Sequence, residues 1–259
     1  MHFDKAAYRI ANERIISLIK KNHDWENTEG FIADGVICPD EYEEQPMRVL
    51  CILAESYGYD KCKETRIESQ PYDDILGVTS NVVKAPRKLA TLLWLLHSSF
   101  EQRSQKTWDD MPWLFRINNE NTTMLQNTLK KVAWINVKKA SRKEGTAMDE
   151  EEVFAHALRN QAVLREQIKA IAPHLIIVCG KIVFRALLEM KLLGTEVVQG
   201  REWQVQAVNA DGPRVIEVSH PRNWWGYEKL YRHFEDIYIQ MANENWVQCL
   251  TRSTPSRYS

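Results

Sequence analysis

Two uninterrupted apolar runs constrain this chain more than anything else in it: Val49-Leu50-Cys51-Ile52-Leu53-Ala54 and Leu175-Ile176-Ile177-Val178-Cys179. A strand with one face in water alternates apolar and polar residues. A run without alternation belongs to a strand covered on both faces, as in a parallel sheet flanked by helices. Lys131 to Val137 and Arg214 to Ser219 read as further strands, the latter preceded by Trp203 to Val208 and the turn formers Asn209 to Pro213. Between these segments the periodicity is helical. Residues 4 to 21 repeat Ala7, Ile10, Ile15, Leu18 and Ile19, and Pro86 opens a helix through Leu89, Leu92, Leu93, Leu95 and Leu96. Residues 150 to 172 set Phe154, Ala157, Leu158, Leu164, Ile168 and Ile171 on one face, and a last helix from about Gly226 turns Leu230, Phe234, Ile237 and Met241 inward. Strands alternating with helices predict an α/β fold, a three-layer αβα sandwich around a central, mostly parallel four-stranded sheet.

At 259 residues and 44% hydrophobic content the chain can bury one large core or two modest ones. The reading is one domain over residues 1–250, with 1–46 as an N-terminal helical extension, 22–46 irregular, and 251–259 a flexible tail. Cys38, Cys51, Cys62, Cys179 and Cys249 are scattered, without a Cys-x-x-Cys pair. Neither a zinc site nor a disulfide framework is expected, and Cys51 and Cys179 read as small buried hydrophobes. No stretch approaches the roughly 18 apolar residues that span a bilayer. The expectation is a soluble, cytoplasmic monomer without membrane association.

The net charge of −1 means that any nucleic-acid partner must be met by a local patch. Lys130, Lys131, Lys138, Lys139, Arg142 and Lys143 provide a candidate. The first strand leads into no Gly-x-Gly-x-x-Gly or phosphate-binding loop, which disfavours an ordinary nucleotide enzyme.

Open α/β sheets bind ligands beyond the carboxyl ends of their strands. Those ends carry Glu55, Ser56 and Tyr57 on the first strand, Asn136 followed by Lys138 and Lys139 on the second, Gly180 and Lys181 on the third, and His220 on the fourth. A carboxylate, a carboxamide and an imidazole thus converge without sequence proximity. Each has a structural use as well: Glu55 as a helix cap, Asn136 as a turn former, His220 as a satisfied histidine before Pro221.

These residues resemble the uracil-DNA glycosylase superfamily. Ala54-Glu55-Ser56-Tyr57-Gly58 is similar to its Gly-Glu-Ala-Pro-Gly loop, and Trp134-Ile135-Asn136-Val137-Lys138-Lys139 to its strand ending in asparagine with a lysine three residues on. Ala172-Pro173-His174 through Gly180-Lys181 is similar to its helix–Pro–strand–Gly segment, and Ser219-His220-Pro221-Arg222 matches the first two positions of its His-Pro-Ser motif. The resemblance covers residues 47–58 and 130–240. It implies that His220 stabilises charge developing on the base and that Glu55 orients water or stabilises the cationic sugar. Ser56 stands where the most active uracil enzymes carry aspartate. Asn136 would read the base edge, and Tyr57 or Tyr59 would wall the pocket. Lys138, Lys139 and Arg142 would meet phosphates, and Arg222, Asn223 and Trp224 would enter the duplex, with Trp225 the alternative wedge.

Departures from the pattern bear on the substrate. Ala140 stands where iron–sulfur branches place a cysteine, so no cofactor is expected. About 80 residues separate Glu55 from Asn136, twice the interval of compact members. That enlargement favours a bulky modified pyrimidine, such as hydroxymethylated or glucosylated cytosine of phage DNA, hence antiviral defence. Uracil excision in repair and a non-catalytic DNA-binding protein are the alternatives.

Overall fold

In the computed structural model, residues 2–22, 31–55, 64–66, 84–102, 104–111, 119–140, 147–193, 196–199, 205–208, 213–221 and 226–243 are described. In chain order these form α1 (Lys5–Asn22), β1 (Phe31–Ala33), β2 (Gly35–Val36), α2 (Pro39–Glu43), β3 (Val49–Leu53), β4 (Glu64–Arg66), α3 (Lys84–Gln102) and a 3-10 turn (Trp108–Asp110). There follow α4 (Asn119–Lys130), β5 (Val132–Asn136), α5 (Glu150–Arg159), α6 (Gln161–Ile171), β6 (Leu175–Cys179), α7 (Lys181–Glu189), β7 (Glu196–Gln199), β8 (Val205–Val208), β9 (Arg214–Val218) and α8 (Gly226–Asn243). Where one domain over 1–250 was expected, contacts divide the chain into two compact units. The first takes Met1–Glu43, Arg48–Gln70 and Lys131–His220; the second takes Glu44–Met47, Pro71–Lys130 and Pro221–Ser259.

The first unit is built on a seven-stranded sheet in the order β2-β5-β3-β6-β9-β8-β7. Its centre, β5-β3-β6-β9, is parallel throughout, and these are the strands expected at 49–54, 131–137, 175–179 and 214–219. The expected count of four is corrected to seven, because β2 adds antiparallel at one edge and the β8–β7 pair at the other. Residues 22–46, expected to be irregular, supply β2, β1 paired in parallel with β4, and the short α2. Strands of two or three residues are too short to show a period.

One face of the sheet (Leu50, Ile52, Ala133, Ile135, Ile176, Val178, Val215) packs on Val153 and Ala157 of α5, Leu164 and Ile171 of α6, and Val183, Ala186 and Leu187 of α7. Cys51, Ile177 and Val218 on the opposite face are equally buried, which explains the absence of alternation. Ile15, Ile16 and Ile19 of α1 join Val163 of α6 in a smaller apolar cluster. Gly35 is required here, since a Cβ would collide with the Tyr8 hydroxyl, which accepts the Val36 N–H at 2.8 Å.

The helix expected over 150–172 is two helices. Asp149 caps the first, its Oδ1 accepting the N–H groups of Glu151 and Glu152 at 3.0 and 3.1 Å, and the acidic first turn suits the helix dipole. Asn160 breaks the run: its side chain donates back to the His156 carbonyl at 3.0 Å, the local competition that disfavours asparagine inside helices. Leu158 is 38% exposed, against the inward place its spacing predicts: on α5 the buried positions are Val153 and Ala157. Ala172, at φ 45°, closes α6 one residue before Pro173.

In the second unit α3 packs against α4 and α8; Leu89, Leu92, Leu93 and Leu96 of α3 and Leu230, Phe234 and Ile237 of α8 are buried as expected. Aromatic rings run along α8, Tyr231 with Phe234 and Phe234 with Tyr238, centroids 5.6 and 6.0 Å apart. His233 is fully buried, and burial, helped by the Lys229 charge, lowers its pKa to about 4. Above about pH 6.5 the imidazole is neutral folded or unfolded. Between 6.5 and 4 only the unfolded chain takes the proton, so stability falls as pH drops through that window. The urea midpoint of the protein is expected to decline over this interval, and that of His233→Phe to decline less; parallel profiles would contradict the assignment.

The 112–118 anchor, the 209–212 turn and the 251–259 tail lie outside the described residues. Among those described, no helix is long and apolar enough to cross a membrane.

Candidate active site

The order β5-β3-β6-β9 sets Asn136, Glu55, Gly180 and His220 at the carboxyl ends of four adjacent parallel strands, all in the first unit. Neighbouring strands lie about 4.8 Å apart, so the backbones bearing Glu55 and His220, two strands distant, are separated by about 10 Å. The β3–β5 pairing continues past both strands, Val137 and Lys138 donating to the carbonyls of Leu53 and Ala54 at 2.9 Å each, which holds Glu55 against the 137–139 segment.

Glu55 is buried there, its side chain 3% exposed, with the Lys138 ammonium 3.0 Å from Oε2. Lys138, itself 4% exposed, also meets half-exposed Glu152 in the first turn of α5 at 3.0 Å. The two carboxylates are not equivalent partners. Removing the cation leaves Glu55 charged in a buried place, whereas Glu152 is solvated. Lys138→Met is therefore expected to lower stability by about 3 kcal/mol, and Glu152→Gln by less than about 1 kcal/mol, read as urea midpoints. Equal losses would show that the buried pair is not the strong one.

A second buried cluster organises Asn136. Asp34, in the single residue between β1 and β2, is 1% exposed. Its Oδ2 accepts the Asn136 backbone N–H at 2.6 Å and the Asn136 side-chain Nδ2 at 3.3 Å. Its Oδ1 accepts Lys139 Nζ at 2.7 Å and Gln167 Nε2 at 3.1 Å, and Gln167 also donates to the Asp34 carbonyl at 3.1 Å. The Lys139 side chain has no exposed surface, and burial pulls its pKa down while Asp34 opposes the shift.

His220 follows β9 and remains partly exposed. The Gly180 N–H bonds the Val218 carbonyl at 2.8 Å, and Gly180 takes φ 111°, where a side chain is strained. A Cβ on Gly180 would lie 3.7 Å from the His220 Cβ, which places the glycine turn directly beside the histidine.

No protein-family model matches the chain, and no curated protein matches it. Glu55, Asn136 and His220 stand at one edge of the sheet, as their strand-end positions predict. Lys138 and Lys139 are a correction: expected to meet phosphates, they are buried ion-pair partners of Glu55 and Asp34. Asn136 is also more constrained than expected, at 5% exposure with its amide nitrogen committed to Asp34. Ser56, Tyr57, Tyr59, Arg142, Arg222, Asn223, Trp224 and Trp225 lie outside the described residues.

Asp34, Gln167 and Glu152 are the members that sequence reasoning missed. A signal for Asp34 exists: it is the one charge in the apolar stretch Phe31-Ile32-Ala33-Asp34-Gly35-Val36-Ile37. Among the described residues, no group of three or more His, Cys, Asp or Glu side chains could hold a metal ion. A pocket of about 580 Å³ elsewhere in the first unit, lined by Lys181, Phe184, Arg185, Leu188 and Glu217 among others, includes none of Glu55, Asn136 or His220. Burial raises the Glu217 carboxyl pKa there, against the pull of Lys181.

Proposed function

We propose that this protein is a monofunctional DNA glycosylase, with the α/β fold a version of the uracil-DNA glycosylase architecture. The observation that carries the reading is the placement of Glu55, Asn136 and His220 at three of the four carboxyl ends of the parallel strands β5-β3-β6-β9. In the reaction, water adds to the sugar C1′ as the C1′–N1 bond breaks, and the base leaves as an anion that then takes up a proton. His220 hydrogen-bonds the base oxygen on which negative charge grows, an interaction strengthened in the transition state. Glu55, fixed by Lys138, orients the water and faces the oxocarbenium-like sugar. Asn136 reads the base edge, with Tyr57 or Tyr59 against the ring and Ser56 beside the water.

Base flipping costs a few kcal/mol of stacking, offset by the 222–225 loop with Arg222, Asn223 and Trp224 entering the duplex. With Lys138 and Lys139 buried, phosphate contacts fall to Arg142 and its neighbours. The protein acts as a monomer in the cytoplasm and needs no cofactor. Its substrate is a modified cytosine, hydroxymethylated or glucosylated, as in phage DNA, so its role is antiviral defence.

The test is alkaline cleavage of DNA carrying uracil, a thymine mismatch, hydroxymethylcytosine or glucosylated hydroxymethylcytosine, with His220→Ala as control. Cleavage of a modified-cytosine strand by the wild type alone is expected. Cleavage of uracil DNA alone would move the protein to base repair. Intact strands throughout, with DNA still bound, would replace the enzyme with a binding protein.

A further inference from the structure

Asp34 bonds Asn136, Lys139 and Gln167, and its arrangement decides what Asn136 can offer. A carboxylate only accepts hydrogen bonds, so the atom of the Asn136 carboxamide that faces Asp34 must be the nitrogen. The same Oδ2 holds the Asn136 backbone N–H, which fixes the residue at two points. Asp34 is in turn held by the Lys139 ammonium and the Gln167 amide on its other oxygen. Four buried side chains from three separate stretches of chain thus define one orientation of one amide. A carboxamide free to rotate by half a turn serves two opposite patterns: acceptor to a ring N–H and donor to a carbonyl, or donor to a ring nitrogen and acceptor from an amino group. The first pattern matches a 4-oxo pyrimidine and the second a 4-amino pyrimidine.

We propose that Asp34, buttressed by Lys139 and Gln167, is a specificity-determining positioning residue that locks the Asn136 carboxamide, so that the site accepts pyrimidines of one class, 4-oxo or 4-amino, and rejects the other. This rests on the glycosylase reading of Asn136. The role is distinct from catalysis, since Asp34 acts only through the amide. Its loss relaxes the choice between bases rather than abolishing bond cleavage.

Asp34→Ala alone strands the buried Lys139 ammonium, so the variant to use is Asp34→Ala/Lys139→Met, which removes both charges together. Excision is measured on matched pairs: uracil against cytosine, and 5-hydroxymethyluracil against 5-hydroxymethylcytosine. The preferred-to-rejected ratio in the wild type is expected to fall by about tenfold or more in the double variant, the scale of one misdirected hydrogen bond. A second readout needs no activity. In 15N-labelled protein the Asn136 side-chain amide, assigned by its loss in Asn136→Asp, is expected to be protected from solvent exchange in the wild type and unprotected in the double variant.

An unprotected Asn136 amide in an active wild type overturns this inference and leaves the glycosylase reading intact. So does an unchanged base ratio in a double variant that has lost the protection. A protected amide in a protein that excises no base from any of these DNAs, nor from DNA carrying glucosylated hydroxymethylcytosine, overturns the glycosylase reading, and the specificity role with it.

Discussion

Asp34→Ala is expected to lose about 3–5 kcal/mol of stability, the cost of leaving a buried charge without its partner. The Lys139 side chain has no exposed surface, and Asp34 is the group that opposes the effect of burial on its pKa. Without Asp34, the Asn136 backbone N–H and the Gln167 amide also lose an acceptor, each loss adding about 1–3 kcal/mol if water does not enter. Lys139 would then shed its proton on folding while the unfolded chain keeps it, so the stability of this variant should rise with pH toward the ordinary lysine range. Adding Lys139→Met should recover the part of the loss due to the stranded ammonium, because an apolar side chain of similar size needs no counter-charge. Urea unfolding of the three proteins checks this. A loss below about 1 kcal/mol in the single variant, or no recovery in the double, would mean that the pair is solvated and the cluster is not a clasp.

The second large effect is kinetic. His220→Ala is expected to slow base excision by about 10²–10³-fold, the usual consequence of removing one donor aimed at developing negative charge. The loss should fall on kcat, with KM and the urea midpoint close to wild type, because His220 is partly exposed at a strand end rather than in the core. Single-turnover excision on the substrate identified by alkaline cleavage gives the number. A decline of less than tenfold, or one carried by KM, would assign His220 to binding.

How far these features were readable from the sequence follows from the range of the interactions involved. The four parallel strands announce themselves as apolar stretches, unbroken in β3 and β6, where both faces are buried, and interrupted by Glu217 in β9. The strand-end positions of Glu55, Asn136 and His220 follow directly from where those runs stop. Lys138 and Lys139 were misread for the opposite reason. Two adjacent lysines after a strand look like a solvated, phosphate-ready pair, and their burial depends on Asp34, more than a hundred residues earlier, and on Glu55, supplied by the neighbouring strand. Nothing local marks a lysine as a core cation. β2 escaped because two residues have no periodicity, and the break at Asn160 because the apolar spacing on either side of it is compatible with a single helix.

If the carboxyl ends of β3 and β9 form one catalytic unit, as proposed, a double-mutant cycle reveals it. Single-turnover excision rates are measured for the wild type, Glu55→Ala, His220→Ala and the two combined. Groups serving one transition state are strongly non-additive, so the double variant should be no more than a few-fold slower than the slower single. Losses that multiply, or singles that excise at the wild-type rate, would contradict the claim that these two strand ends make one site.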